Sequence, residues 1–138
     1  QMTGLECKPV PVEITYGLER LCMFVQSKNN VFDLDWNNDG VKYREVFFQA
    51  EKEFSAYNFE FANTEILLNN FESTEKECKS LLEKKLSLPA YDQCLKASHI
   101  FNLLDARGVI GVAERTGYIT RIRELAKGCG SLWLSSQS

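Results

Sequence analysis

Hydrophobic and polar positions alternate with period two near the start of the chain. Four apolar residues fall on one side of an extended backbone there: Val10, Val12, Ile14 and Tyr16. Glu13, Thr15 and Gly17 fall on the opposite side. This alternation predicts a strand that packs with one face and presents polar atoms on the other.

The period changes to that of a helix immediately after Gly17. Apolar residues then recur at helical spacing at Leu18, Leu21, Cys22 and Val25. This spacing predicts a helix over about residues 18–26, with Arg20 in its first turn. A helix start concentrates free N–H groups, and an arginine guanidinium adds a planar fork, so the junction suits a nucleotide.

From Arg44 onward the apolar spacing is helical throughout. An aromatic stripe, predicted to be core, steps by three and four through Phe47, Ala50, Phe54, Tyr57 and Phe61. A second helix is expected to begin at Asn63 or Thr64, and a third has Pro89 in its first turn. A last helix follows Gly108 and is expected to end near Gly128 and Gly130.

The predicted buried positions of these three helices fall on one face of each. In order along the chain they are Leu67, Phe71, Cys78 and Leu82, then Cys94, Ala97, Phe101 and Leu104, and finally Val112, Ile119, Ile122 and Ala126. The pattern therefore predicts an α+β fold that is mainly α, with a small strand piece followed by a helical bundle.

Composition narrows the function classes. With 138 residues, 44% hydrophobic and 25% charged, the chain has the make-up of a globular protein with one core. Its net charge of -3 argues against a free-standing RNA binder. No apolar run approaches the roughly 20 residues of a membrane span, and no signal peptide is visible, so a cytoplasmic location without membrane contact is expected. Gln1 in the place of a starting Met indicates a fragment.

Metal and hydrolase sites find little support in the sequence. The five cysteines contain no Cys-x-x-Cys pair, which fits a reducing compartment, and His99 is the only histidine. We therefore expect no zinc site or catalytic triad, and we interpret His99 as a partly buried structural residue. Residues 35–40 resemble the first half of an EF-hand loop, but Val46 occupies the position of the bidentate glutamate, which predicts an exposed turn without metal.

The residues Gly17, Leu18, Glu19 and Arg20 resemble motif 3 of class II aminoacyl-tRNA synthetases. Several other segments extend the likeness, and together they resemble the alpha subunit of bacterial glycyl-tRNA synthetase. The matching segments are residues 4–10, 13–21, 57–60, 102–107, 114–115, 118–119 and 121–123. The resemblance covers nearly the whole chain, and it implies the C-terminal half of a catalytic subunit.

The resemblance implies roles for individual residues near Gly17. Glu13 would hold the ammonium group of glycine, and Thr15 would exclude larger amino acids. Gly17 would let the backbone approach the ligand. Arg20 would stack on adenine or contact the terminal phosphate of ATP, with Glu19 helping to orient it. Each residue has a plainer alternative, since Glu13 and Thr15 could be ordinary strand residues and Arg20 a surface cation.

The resemblance also implies partners and a division of the chain. It implies ATP with Mg²⁺, whose ligands would lie outside this chain, together with glycine, tRNA(Gly), a beta subunit and an alpha–alpha dimer within an alpha2 beta2 tetramer. Residues 1–43 would complete a class II catalytic domain at the end of its antiparallel sheet, and residues 44–138 would form a helical domain. Motifs 1 and 2 are not among these residues, so we expect the chain alone to be inactive. The alternative is a non-catalytic helical module that binds a partner subunit.

Overall fold

The structure is a computed structural model in which residues 4–137 are described. Its five α-helices are α1 (Leu18–Val25), α2 (Tyr43–Ala56), α3 (Thr64–Glu83), α4 (Ser87–Ala106) and α5 (Val112–Ser136). A 3-10 turn at Val31–Asp33 precedes α2, and a π-helical turn at Tyr57–Phe61 follows it. Within residues 4–137, no helix combines the length and the apolar character that crossing a bilayer requires.

The predicted α+β fold class is wrong, because residues 4–137 contain no β-strand and no sheet. The predicted strand face is largely in solvent, with exposed fractions of 78% for Val10, 89% for Val12, 78% for Ile14 and 74% for Tyr16. Alternation alone does not make a strand, since a strand needs a neighbour that pairs with its N–H and C=O groups. Only one isolated bridge, between Asp35 and Lys42, is found in the described residues.

The chain separates into two compact units, which are described one at a time. One unit is Val10–Tyr57, and the other comprises the described residues of 1–9 and 58–138. The first contains α1, the 3-10 turn and α2, while the second contains α3, α4 and α5. This separation follows chain contacts and does not test the division into a catalytic part, 1–43, and a helical part, 44–138, which stays a prediction.

The core of the second unit lies where α4 packs against both α3 and α5. Most of the buried positions expected from the helical spacing are confirmed: Leu67, Phe71, Cys78, Cys94, Ala97, Phe101, Leu104, Ile122 and Ala126. Leu82 and Ile119 are partly buried against this core. The predicted bundle is therefore present, and side chains at 3.6-residue spacing fill it.

Polar contacts connect the ends of these helices. The side chain of Asn63 accepts a hydrogen bond from the backbone of Ile66 at 3.0 Å, so Asn63 is the predicted cap of α3. Arg107, at the end of α4, donates to the carbonyl of Ala62. Asp105 pairs with Arg115 of α5 at 3.2 Å. These bonds fix the start of α3, the end of α4 and the start of α5.

Three further expectations about the helices are wrong. The last helix does not end near Gly128 and Gly130 but continues to Ser136, because packing against the bundle compensates for the low helix propensity of glycine. Within the described residues the aromatic stripe is not core, since Phe54 is 67% exposed and Phe61 is 75% exposed. Val112, predicted to face inward, is 92% exposed because it is the first residue of α5.

A buried carboxylate joins α3 to α5. Glu75, which is 8% exposed, is bonded by the guanidinium of Arg121 and by Lys79 at 2.9 Å. The same guanidinium lies over two rings, with its central carbon 4.7 Å from the centroid of Phe71 and 5.1 Å from that of Tyr118. The bond from Arg121, and then that from Lys79, hold the pKa of Glu75 below its ordinary value of 4.5 although burial opposes this.

We expect Glu75→Gln to lower the free energy of unfolding at pH 7 by about 1–3 kcal/mol, because Arg121 loses its charged partner. A carboxyl group whose pKa is lower in the folded state stabilises the folded protein at pH values above its pKa in the unfolded chain. This contribution is lost as the pH falls through the pKa of the folded state. The difference between the two proteins should therefore shrink as the pH falls below 4.5. Urea unfolding at a series of pH values measures it.

The control for this experiment is Glu77→Gln, which changes an exposed carboxylate on the same helix. It should alter stability by no more than about 0.5 kcal/mol at any pH. A Glu75→Gln effect that stays constant from pH 7 to pH 3 would contradict the charged pair.

Two glycines of α5 provide a test of how closely this helix approaches α3. A Cβ atom added at Gly117 would have no neighbour within 4 Å, whereas one at Gly128 would lie 2.8 Å from Cδ1 of Leu82. Gly117→Ala should therefore raise the free energy of unfolding by about 0.5–1 kcal/mol through helix propensity alone. Thermal and urea unfolding measure this change.

Gly128→Ala is the matched variant, and it should stabilise clearly less than Gly117→Ala because the Leu82 side chain must move. Equal stabilisation by the two substitutions would show that α3 and α5 are not in contact at Gly128.

Candidate functional site

The two residues with an implied role in glycine binding are in contact. Glu13 and Thr15 lie in the segment without regular secondary structure that precedes α1, and the Thr15 hydroxyl donates a hydrogen bond to Oε1 of Glu13. The contact joins two residues that are two positions apart along the chain, and it forms without a sheet. The bond orients the Glu13 carboxylate beside the Thr15 methyl group. Both side chains are exposed.

Gly17 is where α1 begins, as the sequence predicted, although the segment before it is not a strand. It is the N-cap of α1, with backbone angles φ -75° and ψ 109°, and its carbonyl accepts the first helical bond from the N–H of Leu21 at 3.0 Å. Glu19 and Arg20 follow in the first turn. Glu19 is the acidic residue of that turn, where the partial positive charge of the helix start favours it.

Arg20 is exposed, and within residues 4–137 it forms no ion pair. Its guanidinium is thus available to a ligand, in contrast to Arg44, which pairs with Asp33, and Arg121, which pairs with Glu75. The structure places Arg20 three residues from Gly17 and does not bring it into a described contact with Glu13. Its implied role in ATP binding stays a prediction.

Glu19 lines a pocket that the sequence analysis did not identify. The pocket has a volume of about 350 Å³ and lies between α1, the segment after the 3-10 turn and the start of α2. The residues around it are Leu18, Glu19, Cys22, Leu34, Asp35, Trp36, Tyr43 and Phe47. One implied site residue is therefore part of an aromatic pocket with carboxylates at its edge.

Three aromatic rings form one wall of this pocket. The ring centroids of Tyr43 and Phe47 are 4.6 Å apart, and Trp36 lies edge-on to both at 6.2 and 5.3 Å. Such tilted and edge-on contacts suit the quadrupoles of aromatic rings. Phe47 belongs to the stripe that the helical spacing predicts to be core, so this periodicity does not show that Phe47 meets Trp36. The one feature of the sequence that could have indicated this aromatic wall is the high frequency of aromatic residues in residues 32–48.

The turn after Trp36 is exposed, as predicted, and organised by its own side chains. Asn37 Oδ1 accepts hydrogen bonds from the backbone of Asp39 at 3.0 Å and of Val41 at 3.2 Å. Asp35, which resembled the first ligand of a calcium loop, pairs instead with Lys42. This bond is the main cause that holds the pKa of Asp35 below its ordinary value. Residues 4–137 bring together no group of three His, Cys, Asp or Glu side chains that could hold a metal ion.

His99 lies on α4, in the unit that contains the helical bundle. It is exposed and borders a groove together with Asn70, Ser73 and Lys96. The interpretation of His99 as a partly buried residue is therefore wrong. Its position near the middle of α4 puts the imidazole on the solvent face, because the buried face of that turn is taken by Ala97 and Phe101.

The chain matches the model of a known protein family. The family model described as "Glycyl-tRNA synthetase alpha subunit" matches residues 1–138, which is the full printed sequence. The resemblance noted from the segment around Gly17 and Arg20 is thereby confirmed over the whole chain.

The contact between α1 and the aromatic pocket can be tested through Tyr43. Desolvation, and then the negative charges of Glu19 and Glu51, raise the pKa of the Tyr43 phenol above 10.0. We expect Glu19→Gln to lower this pKa part of the way back, because one of the two charges is removed. The titration is followed by NMR of the ring Cζ of labelled tyrosine.

The control is Glu77→Gln on α3, which should leave the Tyr43 titration unchanged. Should Glu19→Gln also leave it unchanged, the placement of Glu19 at this pocket would be refuted.

Proposed function

Because the chain belongs to the glycyl-tRNA synthetase alpha subunit family, we propose that residues 13–20 form one wall of the site where ATP activates glycine. A carboxylate oxygen of glycine attacks the α-phosphorus, the bond to the pyrophosphate oxygen breaks, and glycyl-adenylate and pyrophosphate result. A hydroxyl group of the terminal ribose of tRNA(Gly) then attacks the glycyl carbonyl carbon, the bond from that carbon to the phosphate oxygen breaks, and AMP leaves. The family match over the whole chain carries this proposal.

The protein contributes alignment and charge rather than covalent chemistry to such a reaction. A carboxylate and a triphosphate repel each other, so the site must hold them in line and offset the negative charge that builds up on the phosphate oxygens. Positioned ionic and polar side chains supply this effect. Of the charged residues beside the helix start, Arg20 is of the type that offsets phosphate charge, whereas Glu13 is of the type that holds an ammonium group.

Glu13 is assigned to the glycine ammonium and Thr15 to substrate selection. The hydrogen bond between them supports this pairing, because it holds the carboxylate and the Thr15 methyl group on the same side of the chain. A carboxylate at the ammonium fixes the amino acid, and a branched side chain next to the α-carbon leaves room only for hydrogen there. Steric exclusion of larger amino acids suits a site for glycine. Glycine is the smallest amino acid, so the site cannot select it through contacts to a side chain.

Arg20 is assigned to ATP, either by stacking on adenine or by binding the terminal phosphate. Its exposure and its lack of an ion pair within residues 4–137 support this assignment. Gly17 would permit close backbone approach, and Glu19 would orient Arg20. ATP would enter with Mg²⁺, but the described residues do not form a metal site, and no residue is assigned to that ion.

The helical bundle is the part we assign to interactions between subunits. The unit that holds α3, α4 and α5 contains none of Glu13, Thr15, Gly17, Glu19 or Arg20. This observation favours a second role, in which the bundle binds the beta subunit of an alpha2 beta2 assembly. Under the alternative function the bundle would be the whole contribution of the chain, and substitutions at Glu13 or Arg20 would leave amino-acid activation intact.

The assignment of Glu13 is tested in the full alpha chain assembled with the beta subunit. Glycine-dependent pyrophosphate exchange isolates the activation step. Glu13→Gln should raise KM for glycine by roughly 30-fold or more, because a charge-assisted bond to the ammonium is lost. The KM for ATP should change far less, since the carboxylate contacts only the amino acid.

Glu77→Gln, an exposed change on α3, is the matched control and should behave as the parent enzyme. An unchanged KM for glycine in Glu13→Gln would exclude the assigned role. If Arg20→Ala also leaves activation unchanged, the non-catalytic alternative would be favoured instead.

A further inference from the structure

Helix α1 carries Glu19 and Arg20, yet burial does little to hold it. It has eight residues and none of them is buried, while isolated helices of this length are marginal in water. Its direction within the unit Val10–Tyr57 must therefore depend on specific contacts. The polar contact that stands out lies at its C-terminal end, at Gln26.

The side chain of Gln26 bonds both backbone groups of one distant residue. Gln26 Nε2 donates to the carbonyl oxygen of Asp35 at 3.0 Å, and the N–H of Asp35 donates to Gln26 Oε1 at 2.7 Å. A primary amide has one donor side and one acceptor side, so it can occupy the place of a neighbouring strand. These two bonds join the C-cap of α1 to the segment that follows the 3-10 turn.

Asp35 offers these groups because of the bridge it forms with Lys42. The bridge bonds come from the flanking residues: the N–H of Trp36 donates to Val41 O at 2.8 Å, and the N–H of Tyr43 donates to Leu34 O at 2.9 Å. In such an antiparallel pair the N–H and C=O groups of the central residue point away from the partner chain. Gln26 supplies a partner within the protein for each of these two groups.

The segment around Asp35, to which Gln26 is bonded, is itself held by other contacts. It is closed by the bridge and by the ion pair between Lys42 and Asp35, and it leads directly into α2 at Tyr43. The C-terminal end of α1 is thus bonded to the segment that leads into the aromatic wall of the pocket. Arg20 lies six residues before Gln26, a helical rise of about 9 Å, so a small tilt at Gln26 displaces the guanidinium.

We propose that Gln26 is a positioning residue for the activation reaction: its side-chain amide, paired with the backbone of Asp35, sets the direction of α1 and thereby places Glu19 and Arg20 for ATP. This inference rests on the proposed function. It assigns Gln26 no contact with a substrate. The proposed function places glycine binding at Glu13 and Thr15, which precede the helix, so a change at Gln26 should act on ATP and spare glycine.

The test uses Gln26→Met in the full alpha chain with the beta subunit. Methionine keeps the length and flexibility of the side chain but can form neither bond. We expect KM for ATP in pyrophosphate exchange to rise roughly tenfold, with KM for glycine within about twofold of the parent value. A general loss of folded protein would instead lower the apparent kcat and leave both KM values unchanged.

Gln49→Met is the matched control, because within residues 4–137 the Gln49 amide bonds only the Glu53 side chain of its own helix. It should leave both KM values unchanged. The double variant Arg20→Ala with Gln26→Met shows whether Gln26 acts through Arg20. If it does, the double variant should have the same KM for ATP as Arg20→Ala alone.

The outcomes separate the two proposals. If Arg20→Ala raises KM for ATP but Gln26→Met does not, the positioning role is overturned and the proposed function stands. If the two effects on KM for ATP multiply in the double variant, Gln26 does not act through Arg20 and the inference fails. If Arg20→Ala leaves KM for ATP unchanged, the assignment of Arg20 fails, and the inference about Gln26 fails with it.

Discussion

The requirement that backbone N–H and C=O groups find partners governs the unit that holds the candidate site. At Asp35 the bridge to Lys42 directs these groups outward, and the amide of Gln26 receives both of them. This pairing connects α1 to the start of α2, two elements that otherwise share little buried surface. The geometry of the junction at Gly17 and Arg20 therefore depends on a side chain that lies outside it.

The helical bundle is stabilised by apolar packing together with a buried ion pair. Its core is apolar, and one charged group, the carboxylate of Glu75, is included in it because Arg121 and Lys79 supply opposite charges. Phe71 and Tyr118 cover the guanidinium, which keeps the pair partly away from water and strengthens it. Buried ion pairs contribute little net stability compared with apolar packing, so the pair mainly fixes how α3 and α5 align.

The helices of the bundle could be predicted from the sequence because burial there follows a single local period. Phe71 and Phe101 lie where the 3.6-residue spacing places them, and Asn63 caps α3 as its chemistry suggests. The end of the last helix could not be predicted, since Gly128 stops a helix only where packing does not hold it. The failure at residues 10–16 has another cause, namely that a strand is a property of two segments and periodicity describes only one.

Only part of the candidate site could be predicted from the sequence. Glu13, Thr15, Gly17, Glu19 and Arg20 could be named from a short motif, because the resemblance supplies chemistry that periodicity does not contain. The pocket beside Glu19 could not be named, since Trp36, Tyr43 and Phe47 meet only after the turn has closed. Gln26 was also missed, as nothing in its sequence neighbourhood indicates that its amide bonds to a residue nine positions further on.

The exposure of the candidate residues has a consequence for the proposed chemistry. Glu13, Thr15 and Arg20 are all exposed in this chain, and water would weaken the attraction between each charge and its ligand. A carboxylate that binds an ammonium ion, and a guanidinium that binds ATP, are effective when the site excludes solvent. The proposed activation of glycine therefore requires that other protein surface cover this segment in the working enzyme. The exposed apolar side chains Val10, Ile14 and Tyr16 beside Glu13 are suited to receive that surface, because burying them would be favourable by itself and would dry the site at the same time.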